Sequence, residues 1–414
     1  MSIEIHRIAR LRMDTETTFA SDLTASLGGF VDVPAIEGSV TLVVTTDVLN
    51  PEYLQQHIDE RAEGILGRKS ARLTFAMNLA STGTAAASGV TAVQGALGEI
   101  LKAVMGGEDL GVGSTINDAG VAATDFDVTT ATGFTAGTAI GVVAGGVTQW
   151  RVIEVVTGFN LTPKLAFSTA PANGAVVNSC ASYYLTQNPT GTLQFVLQGA
   201  EGNDGWVTLG CQLESMAIDV TSAALPRITF TFLCANWLHG SDAAGAANLD
   251  NYTIAAATYS NVSPTVAVDG QYTQQTVNTQ TYNATTSRPS VSSETWACSI
   301  RYAPVTSPSG TQTIAQFRRE RTAPVITGTF RVPYEGETWF DVRTDREDKA
   351  FVRQIGTAAG GTVLLEAATA QVVDVQRVDE GGLAYVEVSW EGRNDTETGG
   401  TPDQEESAFR IHLG

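Results

Sequence analysis

Apolar and polar residues alternate along much of this chain. In GSVTLVVTTDV, Val40, Leu42 and Val44 share one side, and in RLTFAMNL, Leu73, Phe75, Met77 and Leu79 alternate with Arg72, Thr74, Ala76 and Asn78. A period of two marks a half-buried strand. The same period runs through GTLQFVLQG from Gly191 and through GCQLESMAIDV and PRITFTFLCA, a hairpin joined across Thr221 to Leu225. There Ile228, Phe230 and Phe232 oppose Thr229 and Thr231. The alternating runs are short, rich in Thr, Gly, Ala and Val, and separated by Gly, Asn, Asp and Pro, so a mainly β protein is expected.

One segment breaks to a helical period. TAVQGALGEILKAVMGG, from Thr91, places Val93, Leu97, Ile100, Leu101 and Val104 on one face, with Thr91 and Gln94 as a capping box and Gly106-Gly107 as the stop. Residues 121–184 carry short strand candidates broken by Gly, Pro and Asn, and they read as a small β-barrel inserted in a surface loop. From Gly240 to Ser293 the chain is rich in Ala, Asn, Thr, Ser and Gln, which predicts a linker or extended arm over 241–293.

The pattern then returns. VITGTFRVPY alternates Ile326, Phe330 and Val332 with Thr327, Thr329 and Arg331. RTDREDKAFVRQIG reads as a second helix, with Thr344 and Glu347 as a capping box, Phe351 and Ile355 as an apolar edge and Gly356 as the stop. GTVLLEAAT and the hairpin AQVVDVQRVDEGGLAYVEVSWEG, turned at Glu380-Gly381-Gly382, follow. Strand, capped helix, Gly-Thr strand and long hairpin occur in that order in both halves, as a duplication would produce and as shared β-protein grammar would also imitate. The expected division is 1–120 with 185–240 as a first module, 121–184 as the insertion, 241–293 as linker and 294–414 as a second module.

Composition narrows the function. The length of 414 residues suggests two to three domains. Asp and Glu outnumber Lys and Arg 44 to 24, which argues against a nucleic-acid binder, because phosphate affinity comes from Lys and Arg displacing counterions. Cys180, Cys211, Cys234 and Cys298 show neither C-x-x-C pairing nor framework spacing, so neither zinc nor a disulfide scaffold is expected. MSIEIHRIARLRM lacks the apolar run of a secretory signal and no segment is apolar enough to span a bilayer, so the chain is expected in the cytoplasm until assembled; sequons such as Asn160-Leu-Thr and Asn283-Ala-Thr are then chance.

Motifs for chemistry are sparse. GRKS resembles a phosphate-binding loop, but Arg68 separates Gly67 from Lys69 and a strand pattern follows where a helix is required, so the stretch reads as a basic lead-in to a strand. His6, His57, His239 and His412 are scattered, with no H-E-x-x-H and no G-x-S-x-G. No enzyme, cofactor or metal is expected; carboxylates are abundant enough to supply the pair of a glycosidase, but Thr-rich strands with acidic faces need no such explanation.

Taken together, ETTFASD (Glu16 to Asp22), IEGSVTLVVTTDVL, the connection ending in EGILGRKSARLTF and the hairpin closing on LPRITFTFLC resemble the tail tube proteins of long-tailed bacteriophages. The resemblance covers about residues 10–240, and reaches the part from about 290 onward only through the duplication. It implies two tube-type β-sandwich modules, each with a flanking helix, whose hairpins join a β-barrel shared among subunits around a channel. Rings would stack, and DNA would pass down the bore. Fused modules imply a trimer that mimics a hexamer, the alternative being a ring of six chains. The implied partners are further copies of this chain and tape-measure, tail terminator and tail-tip proteins, with transient passage of DNA and no membrane insertion; the location is the virion tail, after assembly in the host cytoplasm. An acidic bore would offer phosphates no counterion-release gain.

Candidates for the bore are Glu214, Thr229 and Thr231 on the first hairpin and Asp374, Gln376, Glu387, Ser389 and Glu391 on the second, an ordinary solvated outer face being the alternative. The connection from Leu49 to Ser70 supplies ring-contact candidates Glu52, Asp59, Glu60, Arg61, Glu63, Arg68 and Lys69. The rival in another class is a host-surface adhesin or tail decoration protein, with the inserted block as its binding element.

Overall fold

The structure, a computed structural model, describes residues 8–24, 29–49, 65–79, 95–164, 166–186, 191–199, 205–221, 224–239, 243, 272–275, 293–306, 314–319, 325–334, 336–346, 348–355, 361–394 and 407–414. Strands β1 (Ile8–Thr15), β2 (Val31–Asp32), β3 (Thr41–Leu49) and β4 (Ile65–Asn78) lead to helix α1 (Ala96–Met105) and β5 (Gly106–Asp109). Next come β6 (Ser114–Thr115), β7 (Phe126–Asp127), β8 (Ala139–Ala144), β9 (Val147–Thr157), β10 (Asn160–Pro163) and β11 (Val176–Ser179). Then follow β12 (Ala181–Leu185), β13 (Leu193–Gly199), β14 (Gly205–Thr221), β15 (Arg227–His239), β16 (Tyr272–Gln275), β17 (Ser293–Ser299), β18 (Tyr302–Thr306) and β19 (Ile314–Arg319). The chain closes with β20 (Val325–Pro333), α2 (Thr338–Asp345), β21 (Asp348–Ile355), β22 (Val363–Glu380), β23 (Leu383–Arg393) and β24 (Arg410–Leu413).

The fold is mainly β, with a sheet partly curled into a half-barrel. Among the described residues, sixteen strands form the main sheet, β6 to β11 form a second, and β18 with β19 a hairpin apart. One pairing order occurs twice in the main sheet: β3-β4-β15-β14 in the first half and β17-β20-β23-β22 in the second. β14 pairs with β17, which makes the two quartets one surface. The helices hold matching places, α1 after β4 and α2 after β20. The second sheet runs β6-β11-β8-β9-β10-β7 around its own core of Ile116, Phe126, Ile140, Ile153 and neighbours, and a bridge from Ile116 to Val128 brings its ends together. Residues 181–184, expected in the insertion, lie with Leu185 in β12, in the main sheet between β24 and β5.

Period two explains most elements, and two expectations are corrected. RTDREDKAFVRQIG does not form a helix of its own: Arg343 to Asp345 are the end of α2, Arg346 takes the left-handed conformation, and Asp348–Ile355 is a strand. A spacing of four, Phe351 to Ile355, fits one face of a strand as well as one helix turn. Thr344 caps nothing; its hydroxyl donates to the Phe340 carbonyl inside α2, and Glu347 and Gly356 fall outside the described residues. GRKS is not a lead-in loop either, because β4 already pairs with β3 from Ile65, opposite Leu49. For α1, Leu97, Ile100, Leu101 and Val104 are buried, and Gly106 at φ 85° ends it with its N–H on the Lys102 carbonyl. Its expected cap, Thr91 with Gln94, and Val93 lie outside the described residues, as do His6, His57 and most of 241–293.

Candidate functional site

Because side chains of register partners share a sheet face, the pairings show which residues stand together. One row reads Gln371, Glu391, Thr327, Ala297, Ala217, Thr229, Ala76, crossing β22, β23, β20, β17, β14, β15 and β4. The next reads Asp374, Ser389, Thr329, Thr295, Asp219, Arg227, Asn78. Thr229 of the first hairpin and Glu391 of the second therefore lie in one line on one wet face. The opposite face is the core, where Phe75, Phe230, Met216, Trp296, Phe330 and Val388 are buried.

Each predicted bore residue belongs to this face. Thr231 sits between Ser215 and Thr74, whose hydroxyl donates to it at 3.3 Å. Glu214 occupies a bulge between Leu213 and Ser215 and meets Arg72 at 2.5 Å. Glu387 pairs with Arg331 at 3.0 Å. Asp374 follows a bulge at Val373, accepts from Gln376 at 2.7 Å and lies 3.6 Å from Arg343 of α2. That hydrogen bond first, then one from the Val375 backbone N–H and then the arginine, hold the Asp374 carboxyl below its ordinary range. Ser389 is half-buried and Glu391 exposed.

The residues not foreseen are those of β17 and β20, which carry the face from one hairpin to the other: Thr295, whose hydroxyl lies 2.7 Å from that of Thr329, and Thr327 and Arg331. Alternation in VITGTFRVPY was their signal; SETWACS, too short to stand out, gave none. The expected acidity is muted, since Glu214 and Glu387 are matched by Arg72 and Arg331, and Asp219 stands in register with Arg227. Short hydroxyls and paired charges give polyphosphate little to hold.

Of the ring-contact candidates, Glu52, Asp59, Glu60, Arg61 and Glu63 lie outside the described residues. Arg68 and Lys69 are engaged within the chain, Arg68 3.5 Å from Asp47 and Lys69 4.8 Å from the centre of the Trp237 ring.

Among the described residues, the face has two open lateral ends: β3 pairs with β4 alone, and residues 372–380 of β22 pair with β23 alone. Unpaired edges invite another strand.

A buried polar group lies elsewhere. His412 reaches Ser182 Oγ at 2.8 Å through Nδ1 and Glu366 Oε2 at 3.2 Å through Nε2, and Arg410 lies 2.9 Å and Lys164 3.6 Å from the same carboxylate. Burial alone would raise the Glu366 carboxyl, yet Arg410, Lys164 and His412 hold it well below the usual range. Burial lowers His412, so the neutral ring donates from Nε2 to Glu366 and accepts from Ser182. Ser, His and carboxylate in sequence have the order of a nucleophilic triad, but all three are buried and Ser182 meets no solvent, so the group ties β12, β22 and β24 together and joins the end of β10 to them.

Among the described residues there is no cluster placed to hold a metal and no helix long and apolar enough to cross a membrane. All four cysteines are buried, and burial pushes the thiols of Cys180 and Cys211 up. Comparison with known proteins finds no family model that matches the chain and no similar curated protein.

Proposed function

We propose that this chain is a structural protein of a bacteriophage virion that polymerises into stacked rings, forming the tail tube through which DNA enters the host. The supporting observation is a single wet face, shared by both long hairpins and, among the described residues, open at both lateral ends. A sheet with one wet face and two open edges is stable in water once copies close it into a barrel, because closure removes the edges. On this reading each half is a tube-type β-sandwich module with its flanking helix, the second sheet is an inserted small β-barrel, and three chains make a pseudo-hexameric ring. Glu214, Thr229, Thr231, Asp374, Gln376, Glu387, Ser389 and Glu391 face the bore. The mixed charge of that face lets DNA slide without adhering. The chain is not an enzyme, and its partners are itself and the tape-measure, terminator and tip proteins of the tail.

Negative-stain microscopy of the purified protein tests this. Rings or hollow tubes are expected. Compact spikes or single globules would favour an adhesin or decoration protein, for which the second sheet, with Phe159 61% exposed at a hairpin turn, would be the contact element.

A further inference from the structure

We infer that copies join by main-chain pairing of residues 374–378 of β22 with residues 41–45 of β3 in a neighbouring copy, antiparallel, with Gln376 opposite Val43. This rests on the ring reading and specifies its joint. The chain contains its own template. β14, last in the first quartet, pairs with β17, first in the second, from Ser215 opposite Ser299 to Thr221 opposite Ser293. β22 holds the place of β14 in the second quartet, and β3 holds the place of β17 in the first.

Equivalent residues follow from the ladders. Ser215 and Asp374 each come directly after a bulge, and they pair with Thr231 and Ser389. Those two pair with Thr74 and Thr329, which in turn pair with Thr41 and Thr295. Carrying the β14–β17 register across this equivalence sets Asp374 opposite Thr45, Gln376 opposite Val43 and Val378 opposite Thr41 of the neighbour. The wet rows then run on unbroken from copy to copy. Val43, 41% exposed on an edge strand, gains a cover.

The joint differs from its template in one respect. The counterpart of Ile218, buried against the second quartet, is Arg377, which is exposed. A charge on an open edge discourages indiscriminate pairing, so the chain stays separate until ring geometry brings the correct partner.

The test is the double variant Gln376→Cys with Val43→Cys, oxidised mildly after assembly and run on a denaturing gel without reductant. Both positions are exposed and the native cysteines are buried, so background linkage is small. Directly opposed residues lie about 4.5–5.5 Å apart, within disulfide reach, whereas a shift of two residues exceeds it. Covalent multimers are expected from this pair, absent from either single variant, and about tenfold weaker from Gln376→Cys with Thr41→Cys or Thr45→Cys. Equal or stronger linkage through Thr41 or Thr45, or rings that carry no linkage, would overturn this register while leaving the tube standing. Wild-type protein that forms neither ring nor tube would remove the tube reading, and the joint with it.

Discussion

Phe75 meets Phe195 edge to face, with ring centroids 5.5 Å apart and planes at 63°. Phe330 and Phe351 repeat that contact at 5.4 Å and 65°, and they hold the equivalent positions on β20 and β21. Phe195 also lies 4.9 Å from Phe232, as Phe351 lies 5.4 Å from Trp390. Two halves with little sequence in common thus pack the same aromatic trio.

Removing either anchor should cost a similar amount. Phe75→Ala and Phe330→Ala should each lose about 3–5 kcal/mol, because both rings are fully buried and a large cavity would remain. Urea unfolding of each variant measures this; a loss under about 1 kcal/mol at one site alone would break the equivalence.

The trio is matched in volume rather than in residues. Gly328 pairs with Trp390 where Leu73 pairs with Phe232, and a Cβ at Gly328 would strike the Trp390 ring. Gly328→Leu should therefore destabilise by about 1–3 kcal/mol or more through overpacking. Adding Trp390→Phe, which recreates the pair of the first half, should recover most of the loss. A double-mutant cycle reads the coupling.

Acid should loosen the buried tie at His412. Its folded pKa is lowered from the ordinary 6.5, so below that pH the unfolded chain takes up a proton that the folded chain refuses, and stability falls. Glu366, also lowered, from 4.5, acts in the same direction: its contribution is complete above 4.5 and is lost as pH falls toward its folded value. Unfolding free energies from urea titrations between pH 7.5 and 5.5 should decline for the wild type, by up to about 1.4 kcal/mol per pH unit below 6.5, and stay level for His412→Gln.

On the tube reading, charge added to the wet face should make DNA stick. The triple variant Thr229→Lys, Thr329→Lys and Ser389→Lys should bind duplex DNA with a dependence of log affinity on log salt of about −0.9 per phosphate contacted, where the wild type binds none. Filter binding across a salt series checks it, and unchanged binding would place these residues on a surface that DNA does not meet.

Alternation alone made the strands legible. RLTFAMNL and PRITFTFLCA carry their wet and buried sides in plain view, because a strand reports its faces every second residue. The helix stop at Gly106 was equally readable, since glycine readily adopts the left-handed cap. Order of elements suggested two matching halves, yet identity could not, because core volume is conserved jointly across strands: Leu with Phe in one half, Gly with Trp in the other. The segment after Arg343 misled because Phe351 and Ile355, four apart, satisfy either period, and packing against β22 decided for a strand.

The sequence by itself thus determined which residues are wet, since that follows from local period and burial free energy. Which wet residues stand side by side was decided by the tertiary structure. Thr229 and Glu391, 162 positions apart in the chain, share a row only because β14 pairs with β17, a long-range choice made by main-chain hydrogen bonds that look alike for every residue and leave no mark in side-chain pattern.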